Sequence, residues 1–347
     1  MILALALAAS TASAVEVTWT GSGGHASNPQ WSSDGGWLAF EVNNNSDSVN
    51  LYVVQVTAGA PGTPARVQIP GSSSSFASGG TYAANPAWHP KQPILIFEAA
   101  NQGGTMRLYS ASSKAPSAAA EFLRADVVKG SLAWPSFSAD AALAFTSSQT
   151  GKGDVYFFQG GKVNSSVVTD APETAPRFAP DNKTLVFSKK DKGTEDLYAW
   201  APGDAQQRLL AGAAGDQTRP RVVGTSVVYF TNERGDDKWD IAVVPLAGGD
   251  RKILARDVRL PQHSAPSVSP DGTWILYGSS APAQDGVVHA VKIDGTSSKQ
   301  VTTGGLSAVG DPAVTKAGDK ALLSFTCLPK VGSDWRQLHV IDVTGQF

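Results

Sequence analysis

Five histidines and a scattering of carboxylates are the side chains of this sequence best suited to chemistry. A catalytic metal generally takes three protein ligands. The best candidates are His25, His263 and Asp311, each lying just ahead of a proline that opens a recurring phrase. Two histidines and one carboxylate make a minimal set. Two acidic stretches, Asp236-Asp-Lys-Trp-Asp240 and Glu195-Asp196, offer the oxygen ligands that calcium prefers, but most such runs are the wet side of a loop. The nucleophile elbow Gly-x-Ser-x-Gly occurs nowhere, and neither His-Glu-x-x-His nor Gly-x-x-x-x-Gly-Lys-Ser/Thr is present. Cys327 has no second cysteine to pair with and reads as a buried thiol. These patterns point away from hydrolysis and nucleotide chemistry, and the reading assigns no cofactor, no metal and no catalytic residue.

The elements that would position these side chains declare themselves by repetition. Seven prolines open one short phrase, at Pro29, Pro86, Pro135, Pro176, Pro220, Pro266 and Pro312, fullest in Pro29-Gln-Trp-Ser-Ser-Asp-Gly and Pro266-Ser-Val-Ser-Pro-Asp-Gly. The spacings of 57, 49, 41, 44, 46 and 46 residues fit propeller blades of about 40 to 50 residues. An apolar run closing on an aromatic follows each phrase: Phe40, Phe97, Phe145, Phe187, Phe230 and Phe325 hold that column, with Leu276-Tyr-Gly278 in the sixth unit. An aliphatic-plus-ring pair comes next, at Tyr52, Tyr109, Tyr156 and Tyr198, with Ala242, His289 and His339 in the other units. A fainter fourth strand is expected at segments such as Val67 to Ile69, Phe122 to Arg124, Ser166 to Thr169, Arg208 to Leu210, Lys252 to Leu254 and Gln300 to Thr302. Short β-branched and aromatic runs separated by Gly, Pro, Asp and Ser turns read as antiparallel strands, and four-stranded units arranged radially make a β-propeller.

The expected fold is therefore all-β: a seven-bladed β-propeller of four-stranded antiparallel blades. The seventh unit has room for three strands, and Val15-Glu-Val-Thr-Trp-Thr-Gly resembles Lys299-Gln-Val-Thr-Thr-Gly-Gly. The N-terminal strand should complete the last blade and remove an exposed edge. Ahead of it, Ile2-Leu-Ala-Leu-Ala-Leu-Ala-Ala and Ala12-Ser-Ala14 read as a signal peptide over residues 1–14, cleaved before Val15 and leaving one propeller over 15–347. The apolar run is too short to span a bilayer. With 28 basic and 30 acidic residues there is no basic field of the kind nucleic acids require. A monomeric ring without a nucleic-acid partner is expected.

In a four-stranded blade, the connection into the next first strand and the hairpin between the second and third strands emerge on one face. Binding residues concentrate on such loops because the sheets hold them rigidly. The candidate binding residues are His25, Asn28, Tyr82, Asn85, Trp134, Glu173, Arg219, Arg234, His263 and Asp311, with Asn45, Gln149, Lys190 and Lys330 on the hairpins. His289 and His339 sit in the tyrosine column and read as packing residues, and His89 falls in a turn on the opposite face.

The repeat, with Pro-x-Trp-Ser-x-Asp-Gly at Pro29, Leu-Ala-Phe at Leu38 and Leu-Tyr-Val at Leu51, resembles the TolB-type (PD40, or WD40-like) β-propeller repeat. Trp239-Asp240 is the only Trp-Asp pair, and it lacks the Gly-His partner of a true WD40 unit. The resemblance implies a periplasmic, non-catalytic ring of the cell envelope, with a Pal-like lipoprotein or another envelope protein as partner. Two departures stand out: seven phrases instead of the six of TolB proteins, and no α/β domain ahead of them, so contact with TolA is not carried over. The rival reading is a metal-assisted polysaccharide lyase resembling oligogalacturonate lyase, with His25 and His263 on the open face.

Overall fold

The Ser-x-Asp that closes three of the seven phrases, at Ser32, Ser138 and Ser269, is a self-contained turn. In a computed structural model that describes residues 13–17, 23–44, 48–69, 82–100, 104–166, 168–235, 237–329 and 334–347, the Ser32 hydroxyl donates to Asp34 Oδ1 (2.6 Å) and accepts from the Trp37 amide (2.9 Å). Ser138 does the same between Asp140 and the Ala142 amide, and Ser269 between Asp271 and the Trp274 amide. Short Ser and Asp side chains that bond nearby backbone favour turns over continued strand. Each phrase thus ends a first strand and aims the chain into the second.

The strands so joined form seven antiparallel sheets, each holding four strands in sequence order except the last, with a further two-residue strand in the first. In the last sheet Val15–Val17 pairs with Gln337–Asp342, Val15 opposite Val340 and Val17 opposite Leu338. Head and tail close the ring as expected. Of the 1–14 segment, residues 1–12 lie outside the described residues, as do Asn45, Lys330 and most of the stretch before Tyr82.

A single blade cannot bury both of its faces, so the core is divided between blades. Seven apolar clusters occur among the described residues, one at each blade–blade junction. The aromatic columns stack across the sheets of blades one, two, three and seven: Phe40 on Tyr52 at 5.6 Å, Phe97 on Tyr109 at 6.1 Å, Phe145 on Tyr156 at 6.1 Å and Phe325 on His339 at 5.6 Å between ring centroids. In blades five and six the expected column is one residue out. Tyr229 lies opposite Ala242 and Tyr277 opposite His289, so these tyrosines, not Phe230 and Gly278, hold the stacking position. The reason at Gly278 is steric: a Cβ there would lie 2.1 Å from the Val309 carbonyl oxygen of blade seven. The fourth strands of blades two, three and six begin earlier than expected, at Ala115–Glu121, Lys162–Ser165 and Ser298–Gln300. These outer strands are largely exposed, so burial imposes little alternation by which to place them.

Candidate functional site

Six of the seven repeat prolines follow a residue with positive φ: Asn28 (49°), Asn85 (51°), Trp134 (56°), Ala175 (50°), Arg219 (53°) and Asp311 (47°). None is glycine, and left-handed backbone is rare for any other residue. At each of these positions the pairing of first and second strands slips. These are bulges, which re-aim side chains beside functional sites. Proline suits the following position because it has no amide to lose from the ladder.

The bulges bring polar groups together at the axis. The Glu41 carboxylate, fully buried, accepts from Asn28 Nδ2 (2.7 Å) and from the Asn85 backbone amide of the next blade (2.6 Å). Glu98 repeats the arrangement one blade on, accepting from Asn85 Nδ2 and the Trp134 amide, both at 2.6 Å. Burial pushes the Glu98 carboxyl above its usual range despite those donors. Tyr82 lies near both acids, and burial followed by their charge pushes its phenol well up.

Blade six breaks the pattern, and the break shapes the site. Its first strand is only Ser267–Val268, and Ala265 before the proline has no positive φ. The segment that would extend this strand crosses the channel instead. His263 Nδ1 lies 3.1 Å from Glu41 Oε2. Ser264 donates to Asn28 Oδ1 and accepts from Gln30 Nε2. Arg219 donates to the Pro261 carbonyl, and Trp134 of blade three meets the His263 ring edge-on at 5.8 Å. One loop from blade six thus touches blades one, three and five and stoppers the axis. For His263, burial opposes the charged ring. The Glu41 carboxylate, by charge and hydrogen bond, and then Glu98 outweigh it, so the imidazole pKa lies above its usual value.

Below the stopper lies a cavity of about 360 Å³. Asn85 and His263 border it at one end and the turn residues Ser33, Pro90, Ser138 and Ala139 at the other. Between them stand Gln30, Ser136, Arg177 and Arg221, all immediately after a repeat proline, and a belt of Trp31, Trp88, Phe137 and Phe178. The two indoles are fixed: Trp31 Nε1 donates to the Ala313 carbonyl (3.0 Å) and Trp88 Nε1 to the Gln30 carbonyl (2.8 Å) of the preceding blade.

Of the expected binding residues, Asn28, Asn85, Trp134 and His263 converge, with Tyr82 beside them, Arg219 holding the stopper and Asp311 close by on blade seven. Asp311 accepts from Thr326 Oγ1 (2.9 Å), and burial raises its pKa. His25 belongs elsewhere: its Nδ1 accepts from the Arg336 amide (3.2 Å) and its ring meets Trp335 at 5.1 Å. The trio considered for a metal is therefore split among separate partners, and among the described residues no three His, Cys, Asp or Glu side chains form a metal-holding group. Glu173 turns inward. It is 1% exposed, accepts from the Val155 amide (2.9 Å), Thr169 and Gln207, and is pushed by burial up to about 7. Arg234 pairs with Asp240 and Asp257, which occupies Asp240 of the acidic stretch considered for calcium; Asp236 lies outside the described residues. Gln30, Glu41, Glu98, Ser136, Arg177 and Arg221 were not among the expected site residues, although each holds a fixed place in the repeat: one after the proline, or one after the second-strand aromatic.

The TolB β-propeller domain model matches residues 123–314, more than half of the chain. No curated protein matches the sequence. Among solved structures, the chain is similar to a protein of Agrobacterium tumefaciens assigned as TolB, with 17% identity, 67% of this chain and 81% of that one covered, and a TM-score of 0.52. It is similar to TolB from Acinetobacter baumannii at 16% identity over 90% of this chain, spanning 65% of that longer protein, with a TM-score of 0.51. Oligogalacturonate lyase from Vibrio parahaemolyticus superposes over 98% of this chain and 96% of its own with a TM-score of 0.66, at 12% identity. Likeness at these identities speaks for the fold, while the repeat itself carries the kinship: the chain belongs to the TolB β-propeller family.

Proposed function

We propose that this chain is an exported, non-catalytic binding ring of the cell envelope, made with a signal peptide over residues 1–14 and working in the periplasm as a monomer. Its partner would be a Pal-like lipoprotein or another envelope protein, received on the face of the interblade connections and second-to-third-strand hairpins. The observation that carries this reading is the way the stopper and the bulges are knitted together. The polar groups around the stopper hydrogen-bond to one another, Glu41 and Glu98 above all, which favours a fixed surface over a reacting centre. A preorganised face loses little entropy on binding and changes shape little. Exposed hairpin residues such as Gln149 and Lys190 would supply specificity around the half-buried Trp134.

The test is calorimetric titration of the mature ring with the soluble domain of the Pal-type lipoprotein from the same cells. Saturable one-to-one binding, weakened at least tenfold by Trp134→Ala and by Lys190→Glu, is expected. No heat at concentrations up to 100 times those of a typical micromolar complex, or binding indifferent to both substitutions, would refute the lipoprotein partner and this face.

A further inference from the structure

Arg177 and Arg221 stand at equivalent places in adjacent blades, one residue after Pro176 and Pro220, and both line the axial cavity. The treatment of a third arginine shows what they lack. Arg107, buried in blade two, gives Nε to Glu121 (2.8 Å) and its terminal nitrogens to the carbonyls of Gly130, Leu123 and Val128. Arg177, by contrast, has one bond, to the carbonyl of its neighbour Pro176 (3.0 Å). Arg221 Nε is buried without any hydrogen-bond partner, and among the described residues neither arginine has a carboxylate within ion-pair distance. The nearby acids are committed, Glu41 to Asn28, Asn85 and His263 and Glu98 to Asn85 and Trp134.

Two like charges half-buried in adjacent blades without a counterion are costly. Burial, followed by the Arg221 charge, brings Arg177 down to about 10, and burial alone lowers Arg221. Guanidinium forks match carboxylate and phosphate oxygens in paired hydrogen bonds. The volume of about 360 Å³ falls within the ordinary range for small-molecule sites, roughly 300–1,000 Å³. Trp31, Trp88, Phe137 and Phe178 add apolar walls, and Gln30 and Ser136 complete the polar ring.

We propose that the axial cavity is a binding site for a small organic oxyanion, whose carboxylate or phosphate group is gripped by Arg177 and Arg221 while its apolar or flat body lies against the aromatic belt. The site is rimmed by the first-to-second-strand turns, on the opposite side of the stopper from the face proposed for a protein partner, and it stands whether or not that partner binds.

Benzoate, phenyl phosphate and the neutral isostere benzamide, titrated into the full chain at constant ionic strength, probe it through the fluorescence of Trp31 and Trp88 and through the thermal midpoint. Saturable binding of at least one anion is expected, with benzamide at least tenfold weaker. Preference for benzoate assigns a carboxylate ligand, and preference for phenyl phosphate a phosphate ester. Arg177→Gln/Arg221→Gln should abolish binding and, by removing the neighbouring like charges, melt no lower than the parent without ligand. Lys162→Gln, on an exposed outer strand, controls for net charge and should bind normally. Equal binding of benzamide, anion binding retained in the double variant, or no saturation by either anion would overturn the proposal. If the double variant misfolds, Ala87→Phe, placed at the same level of the channel, should block binding by volume, and its failure to do so would equally overturn the site.

Discussion

Severing the stopper's contact with Glu41 measures how strongly the axis is held together. The Glu41 side chain has no solvent exposure, and that of His263 only 11%; the carboxylate serves three donors at 2.6 to 3.2 Å. Removing one member of a buried charged pair costs about 3–5 kcal/mol, because the other is left uncompensated. Glu41→Ala should cost that much, since Asn28, Asn85 and His263 all lose an acceptor. His263→Ala should cost less, about 2 kcal/mol, because two amides still satisfy the acid. In a double-mutant cycle read by urea denaturation at pH 6, the coupling should be about 1.5–3 kcal/mol, the range for a hydrogen bond to a charged group. The pH dependence has a definite sign. The pKa of His263 is raised on folding, so its contribution is fully present below the unfolded value of about 6.5 and is lost as pH rises through the higher folded value. The stability gap between parent and His263→Ala should therefore narrow from pH 6 to pH 9, and should not do so in a Glu41→Gln background. A coupling below about 0.5 kcal/mol, the level of ordinary non-additivity, or a gap independent of pH, would refute the charged contact as the stopper's anchor.

Three further outcomes follow from the packing. Gly278→Ala sets a methyl against the Val309 carbonyl and should destabilise by at least the roughly 1–3 kcal/mol typical of overpacking, whereas Gly304→Ala, with open space around it and no left-handed φ, should cost less than half as much in the same denaturation assay. Arg107→Met leaves the carbonyls of Leu123, Val128 and Gly130, the first two in buried bonds, and Glu121 without their donor and should lower stability by about 3 kcal/mol or more. Cys327 is buried with its thiol pushed up to about 12, so an aromatic disulfide reagent at pH 8 should modify it only after denaturant is added; rapid labelling of native protein would contradict the packing.

Much of the architecture was legible because a propeller repeats its constraints. Proline in the first strand of the blades, Ser-x-Asp at three of the turns and the Phe–Tyr column are local solutions used again and again, and even the tail-to-head closure showed in the likeness between Val15–Gly21 and Lys299–Gly305. What the repeat hid were its exceptions. The phrase at Pro266 looks regular, yet the residues before it leave the sheet, because their partners belong to blades one, three and five and lie up to 236 residues away in sequence. The one-residue shift in blade six has a similar origin: Val309 of the neighbouring blade, not the local pattern, decides what fits at Gly278. His25 and His263 looked alike as histidines ahead of prolines, but their neighbours separate them. Arg177 and Arg221 were readable as an Arg in the column after proline, a clue that gains meaning only once that column is known to face the axis.

The diverted segment of blade six also divides the molecule into two compartments. It lies as a septum across the axis, held to blade one through His263 on Glu41 and to blade five through Arg219 on the Pro261 carbonyl. The septum is nevertheless shared furniture, for His263 borders the lower chamber and touches Trp134 at the upper rim. Were a ligand in the cavity to shift this imidazole, its contact with Trp134 would carry the shift across the septum, and by reciprocity the influence would run equally both ways.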